Sequence, residues 1–322
     1  MSADATDVPR SPTDLPGRSW WAAVRRSLGE FRRDNVTDWA AALTYYSVLS
    51  IFPAMLVVVS LVGLAGKSVS RSLITNVGEL APGQVRQILV DAITELQRGH
   101  GGAGIVAVIS LAAAIWSASG YVAAFMRAAN AIYDIDEGRP IYKTLPIRVA
   151  ITLTTLVPLS ACAVAVVVSG PIAQRAGAMV GAGPAAITIF GIVKWPVLLL
   201  VVGLLFALLY WAGPNARQGV RWVTPGGVFA VVIWLVASAG FAFYVAHFSS
   251  YNKTYGSLAG LIIFLVWIWM SNIAILLGAE LNAELERGRA IAAGRPKTEE
   301  PYVELRDTRA LDDPPPEHGQ AP

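Results

Sequence analysis

Apolar residues fill six long stretches of this chain that carry few or no charges, near Trp39–Gly66, Gly104–Phe125, Ile147–Ile172, Trp195–Trp211, Pro225–Phe248 and Tyr255–Ala279. A hydrocarbon core about 30 Å thick takes about 20 apolar residues of helix at about 1.5 Å rise each. Every stretch is close to or above that length, the fourth being the shortest. In hydrocarbon the backbone has only itself to hydrogen-bond to, so the pattern predicts helices. The expected fold is all-α: a polytopic bundle of six transmembrane helices over 36–286.

The flanks read differently. Residues 1–18 are rich in Pro, Asp, Ser and Thr and are expected to be a disordered tail. Over 19–35 a helix is predicted, with Trp20, Val24, Leu28 and Phe31 on one face and Arg25, Arg26, Arg32 and Arg33 largely on the others. A basic helix with tryptophans suits a membrane surface bearing anionic lipid head groups, which would be its partners. Packing beneath the spans as a lid is the other reading. The loop 67–102 contains an apolar stripe within Gln84–Gln97 that predicts a short amphipathic helix, either on the membrane, capping a cavity or simply linking two spans. Residues 287–322, with Pro314, Pro315 and Pro316, are expected to be a disordered tail.

Charge then sets an orientation. Arginines and lysines crowd the N-terminal segment, the loop after the second stretch (Arg127, Arg139, Lys143, Arg148), the loop after the fourth (Arg217, Arg221) and the C-terminal tail. The opposite loops hold far fewer, so the positive-inside rule predicts cytoplasmic N and C termini in a bacterial inner membrane. Hydrophobic residues are 55% of the chain, charged residues 15%, and mean hydropathy is +0.53. The net charge of +3 does not predict a nucleic-acid partner, because the basic residues flank the stretches instead of forming a groove with interleaved aromatics. The single cysteine, Cys162, excludes an intramolecular disulfide.

Polar residues inside apolar stretches are costly to bury and therefore informative. The first stretch holds Thr44, Tyr45, Tyr46, Ser47 and Ser50 ahead of Pro53, which predicts a kink near Leu49–Phe52. Ala113/Ser117, Ser119/Ala123 and Gly120/Ala124 are small-residue pairs that let helices approach, marking the second stretch as central. The last stretch carries Asn272 near mid-membrane and ends in Glu280 and Asn282. Glu280 reaches the same depth as Arg127, with Arg148 as a second candidate, so an ion pair is one expectation. Hydration among head groups, or one end of a polar pathway with Tyr45, Tyr46, Ser47 and Asn272, are the others.

The three histidines, His100, His247 and His318, lack zinc-ligand spacing, and Asp134, Asp136 and Glu137 read as a solvated acidic turn. No metal, cofactor or catalytic residue is expected, and the protein is read as no enzyme. The chain does, however, resemble a known family. Ala40–Pro53, Trp116–Gly120 with Ala129–Tyr133, Pro214-Asn215 with Trp222, Pro225–Gly227 and Trp234, Thr254–Leu258, and Leu277–Asn282 resemble the successive motifs of the YihY/BrkB family of bacterial inner-membrane proteins. The resemblance implies a membrane protein tied to envelope integrity, serum resistance and lipid export. A ribonuclease label has also been attached to the family, although this chain lacks the clustered carboxylates or histidine pair such chemistry wants.

Three functions follow as expectations. The first is a transporter or flippase for an amphipathic lipid. A cavity lined by Tyr45, Tyr46, Asn272 and Glu280 would favour it. The second is an envelope-integrity factor that docks partners, favoured by a filled bundle with Glu280 paired to Arg127. The third, a distant one, is a ribonuclease.

Overall fold

Hydrocarbon-like sequence folds here into long uninterrupted helices. The structure, a computed structural model, describes residues 11–14, 17–64, 103–167, 174, 177, 181, 183–247, 259–298 and 300–311, with the side chains of 13, 18, 52–64, 103–111, 113, 114 and 167 outside that set. Its described residues form seven α-helices: α1 (Gly17–Arg33), α2 (Val36–Leu64), α3 (Ala103–Ile132), α4 (Ile141–Val167), α5 (Pro184–Ala212), α6 (Val220–His247) and α7 (Ala259–Ala292). Four of them, α4 to α7, are long and apolar enough to cross a membrane.

Two element boundaries depart from the sequence pattern. α5 is not the shortest element but a helix of 29 residues that starts well before Trp195. It absorbs Lys194, whose buried side chain lays its ammonium over the rings of Phe190 and Trp195 at 5.8 and 5.2 Å. Such cation–π contacts let a lysine sit in an apolar helix. α7 runs 34 residues, about 51 Å at 1.5 Å each, so its C-terminal third projects past any 30 Å core.

The chain divides into two units. One comprises 48–120 and 152–202, with much of its described surface apolar: Ile189, Ile192 and Leu200 are exposed. The other comprises 1–47, 121–151 and 203–322, and it holds the main core, built on Leu43, Phe125, Tyr210, Val223 and Leu276. Its outward α6 positions, Val228, Val232 and Val236, are exposed, as lipid-facing positions are.

Within this second unit α6 and α7 meet backbone to backbone. A Cβ on Gly278 would strike the Tyr210 hydroxyl and lie 2.6 Å from the Gly226 carbonyl oxygen. α1 packs on the C-terminal half of α7 through Ala23 and Ser27, with Trp20 and Val24 beside them, against Trp222, Leu281 and Leu285. Ser27 donates to the Ala23 carbonyl, 2.9 Å away, which keeps this face small. The expected apolar stripe therefore needs correction: Leu28 points outward beside Trp21, because close approach to α7 selects the small residues one position away.

The C-terminal tail is also corrected over 300–311. This segment is bound rather than solvated, bridging Leu305 to Ala216, with the Arg306 N–H donating to the Asn215 carbonyl (2.7 Å) and Lys143 pairing with Asp307 (2.5 Å). Apolar Val303 and the polar hub at Asn215 supply attachments that charge composition alone does not reveal. The helix expected within Gln84–Gln97, the motif Thr254–Leu258 and residues 1–10 and 312–322 lie outside the described residues.

Candidate functional site

α7 places Glu280 about 32 Å along the helix from Ala259, a length close to the thickness of a hydrocarbon core. Two short turns bring acids to the same level. Asp34 and Asn35 link α1 to α2, Asn35 taking the left-handed φ of 50° that asparagine tolerates. Asp134, with φ 52°, ends the turn after α3. The bound C-terminal segment adds Glu300, Tyr302 and Val303. Together they form a small open pocket of about 50 Å³, lined by the acids Glu30, Asp34, Asp134, Glu280, Glu284 and Glu300, by Arg33 and Arg287, and by Ile132, Tyr133 and Ala283.

The arginines are already engaged. Arg33 pairs with Glu30 at 3.0 Å, while Arg287 meets Glu284 at 3.3 Å and Glu30 at 3.8 Å. Arg26 also holds Glu284. That leaves Glu280, 1% exposed, with its carboxyl in hydrogen-bonding contact with Asp34 and with no further partner for its Oε1 among the described residues. Two carboxyls can hydrogen-bond only by holding a proton between them. Burial pushes the Asp34 carboxyl up from 3.8 to about 6, Asp134 and Glu30 adding to the rise while the Glu280 hydrogen bond and Arg33 oppose it. Burial raises Asp134 too, with Glu300 and Glu30 adding repulsion.

The expected ion pair is not formed. Arg127 is exposed, and the salt bridges among the described residues do not include Glu280. Arg148 lies within electrostatic reach of Arg127 and Tyr46. Arg127 faces outward from a segment of α3 whose neighbours, Phe125, Met126, Ala128 and Ala129, are all buried.

The remaining candidates hold helices together. Asn272, 2% exposed, accepts from the Tyr121 hydroxyl and donates to Thr44 Oγ1, both at 3.1 Å, joining α7 to α3 and α2. Asn282 accepts from the Gly226 N–H (2.8 Å) and donates to the Val223 carbonyl (3.1 Å), on either side of Pro225, which lies inside α6. Tyr45 is exposed and meets Tyr46 edge-on at 5.3 Å, and the Ser47 hydroxyl donates back to the Leu43 carbonyl. Tyr45, Tyr46 and Asn272 do not line the pocket. α2 continues through Pro53, whose side chain is outside the described set.

In the acidic turn after α3, Asp134 and Asp136 are exposed as expected, whereas Glu137 is held by the protein. Glu137 receives both Nε and Nη2 of buried Arg139 at 2.6 Å, and Arg139 also donates to the Gly213 carbonyl at 2.7 Å. Asn130 donates to Glu137 and accepts from the Asn215 N–H, and Asn215 donates to the Asp307 carbonyl (2.7 Å). This network fixes the loop ends on which the pocket wall stands.

The motifs of the second and third sequence blocks thus meet in one polar knot, and the last block supplies Glu280 and Asn282. A family model described as "Virulence factor BrkB" matches residues 27–302. The chain belongs to that family. Among its relatives, YfkH of Bacillus subtilis, a protein whose name calls it ribonuclease-like, is 30% identical over 80% of this chain and 92% of its own length. A UPF0761 membrane protein of Alkalilimnicola ehrlichii is 28% identical over 82% of the chain, which spans only 59% of that relative's length. One from Aggregatibacter aphrophilus is 26% identical over 81% of this chain and 90% of its own. No solved structure matches. With its apolar helices, this BrkB-family chain is a multi-pass membrane protein. The matched span contains every pocket residue except Val303.

Sequence reasoning found Glu280 but missed Glu30, Asp34, Asp134, Glu284 and Arg287. One signal was available: Asp34-Asn35 sits where the amphipathic pattern gives way to the apolar one, which is where a turn must fall at head-group depth.

Proposed function

We propose that this BrkB-family protein is a six-span inner-membrane transporter of an amphipathic, lipid-like substrate, with both termini cytoplasmic and no enzymatic step. The observation that carries this reading is Glu280: a buried acid with an unpartnered oxygen, beside Asp34, in an open pocket at the end of an apolar helix. Ionisable groups at that depth are retained in membranes where charge or protons must move. The basic residues of α1, with Trp21 and Leu28 turned outward, support contact with anionic lipid head groups at the cytoplasmic surface. The partner-docking reading draws support from the tightly satisfied Asn272 and Asn282, which leave no mid-helix polar path at those two residues. A ribonuclease reading rests on the name of the Bacillus relative, and a pocket with surplus carboxylates would repel a phosphodiester.

The test is lipid movement between leaflets in proteoliposomes, against an unrelated six-span protein and a Glu280→Gln variant. Acceleration by the wild type that is lost in the variant is expected. No acceleration by the wild type with any envelope lipid would overturn the transport reading.

A further inference from the structure

Four of the pocket's six carboxyls, Asp34, Asp134, Glu280 and Glu300, are absent from the salt bridges of the described residues, while Arg33 and Arg287 are held by Glu30 and Glu284. Even with one proton shared between Asp34 and Glu280, the wall therefore holds more negative than positive charge. It also carries the buried Glu280, whose contact is another acid, Asp34, and whose Oε1 lacks a further hydrogen-bond partner among the described residues. A buried charge or lone acceptor calls for a cation or a hydrogen-bond donor from outside the chain.

The geometry points to a binding site for a primary ammonium group on a short organic stem, with the proton-sharing Glu280–Asp34 pair as its singly charged partner. Three features select this class. An ammonium brings three N–H donors along with its charge, which answers both the surplus of carboxylates and the open acceptor. The wall also offers Ile132, Ala283 and Val303 to the methylenes of a stem. Among the described residues, finally, no group of three or more acids, histidines or cysteines converges closely enough to hold a metal ion. Dispersed carboxylates suit a bulky cation better than a compact one that demands converging oxygens. The source of the ammonium is either a free amine or the head group of an aminolipid. This site goes beyond the transport reading, since binding is measured apart from movement.

The experiment is equilibrium binding of radiolabelled ethanolamine to the purified full-length protein in detergent at pH 7.5, by scintillation proximity. Saturable binding is expected, displaced by methylammonium but not by ethylene glycol. Glu280→Gln and Asp34→Asn should each weaken it about tenfold or more, the scale of a charged hydrogen bond. Glu304→Gln, in an exposed pair with Arg217 outside the pocket, should leave it unchanged. Displacement by short-chain phosphatidylethanolamine at far lower concentration than by ethanolamine would assign the ammonium to a lipid, and the reverse order to a free amine; both support the site. No saturable binding to the wild type up to about 10 mM would overturn it, the carboxyls then being neutralised by their shared proton alone. Equal binding by Glu280→Gln, or displacement by Mg²⁺ as effective as by methylammonium at matched ionic strength, would overturn it as well. Because wild-type competition alone can refute the assignment, it does not depend on the variants folding.

Discussion

Replacing Asn282 by alanine separates a helix clasp from a transport residue. The wild-type amide is fully buried and makes two interhelical hydrogen bonds, accepting from the Gly226 N–H and donating to the Val223 carbonyl. Both partners are backbone groups flanking Pro225, which has no N–H of its own to contribute. Asn282→Ala removes two buried bonds that tie α7 to α6, while the Val223 carbonyl keeps its place in the helical ladder, so each loss is about 0.5–1.5 kcal/mol. Interhelical hydrogen bonds measured inside membranes fall within that range, so the sum is set at about 1–2 kcal/mol of lost stability. The assay is SDS-titrated unfolding in mixed micelles, followed by tryptophan fluorescence. Asn282→Asp supplies an internal check. It keeps the acceptor for Gly226, and only its protonated form donates to Val223, so its deficit should shrink as the pH falls. A loss below about 0.5 kcal/mol for Asn282→Ala would show that water already serves these groups and that the clasp is unimportant.

Two glycines of α7 should respond with opposite signs. Gly278→Ala pushes a methyl into the Tyr210 hydroxyl and the Gly226 carbonyl and should destabilise by about 2 kcal/mol or more in the same assay, whereas Gly288→Ala, with open space around its Cβ, should stabilise by about 0.5–1 kcal/mol. Asp34 lies between α1 and α2, and its folded value of about 6 exceeds the ordinary 3.8, so the native state binds the extra proton and stability should fall as pH rises from about 4 to 6, then level off. For a fully buried group that rise would be worth about 3 kcal/mol; half-burial and solvent screening bring it to about 1 kcal/mol. Asp34→Asn should remove this part of the pH slope in thermal melts and be the more stable protein at pH 7; an unchanged slope would refute the placement of Asp34 against Glu280.

Much of the helix pattern was legible because hydrocarbon acts on every residue of a stretch at once. α2, α4, α6 and α7 each begin within about six residues of the apolar stretch that announces them. α5 was cut short at Lys194 because a charge looks like a boundary until its aromatic neighbours are seen. The bound segment 300–311 was hidden for the opposite reason. Its attachment rests on backbone groups meeting one asparagine, Asn215, and no composition rule records that. The candidate pocket was half legible. Glu280 stood out as an acid at the end of an apolar run, and depth could be counted along the helix. Its neighbour could not, because depth is one coordinate and the direction a side chain faces is another. Arg127 faces away, whereas Asp34 meets Glu280 from a turn far away in sequence.

The three polar residues singled out on α7 part company for a chemical reason. Asn272 and Asn282 each carry a donor and an acceptor in one neutral group, so each can close completely on neutral partners. They do so, Asn272 on two hydroxyls and Asn282 on two backbone groups. Glu280 when ionised carries acceptors only and must take a proton or a cation from elsewhere. It stands two residues before Asn282, about 200° around the helix, so the face opposite the α6 clasp is the one that meets the acids of the α1–α2 turn. The rigid contact on one side fixes the position of α7, and the unsatisfied group on the other is presented to the pocket at a set depth. An amide there would have been sealed by its neighbours, whereas a carboxylate keeps the site dependent on what enters it.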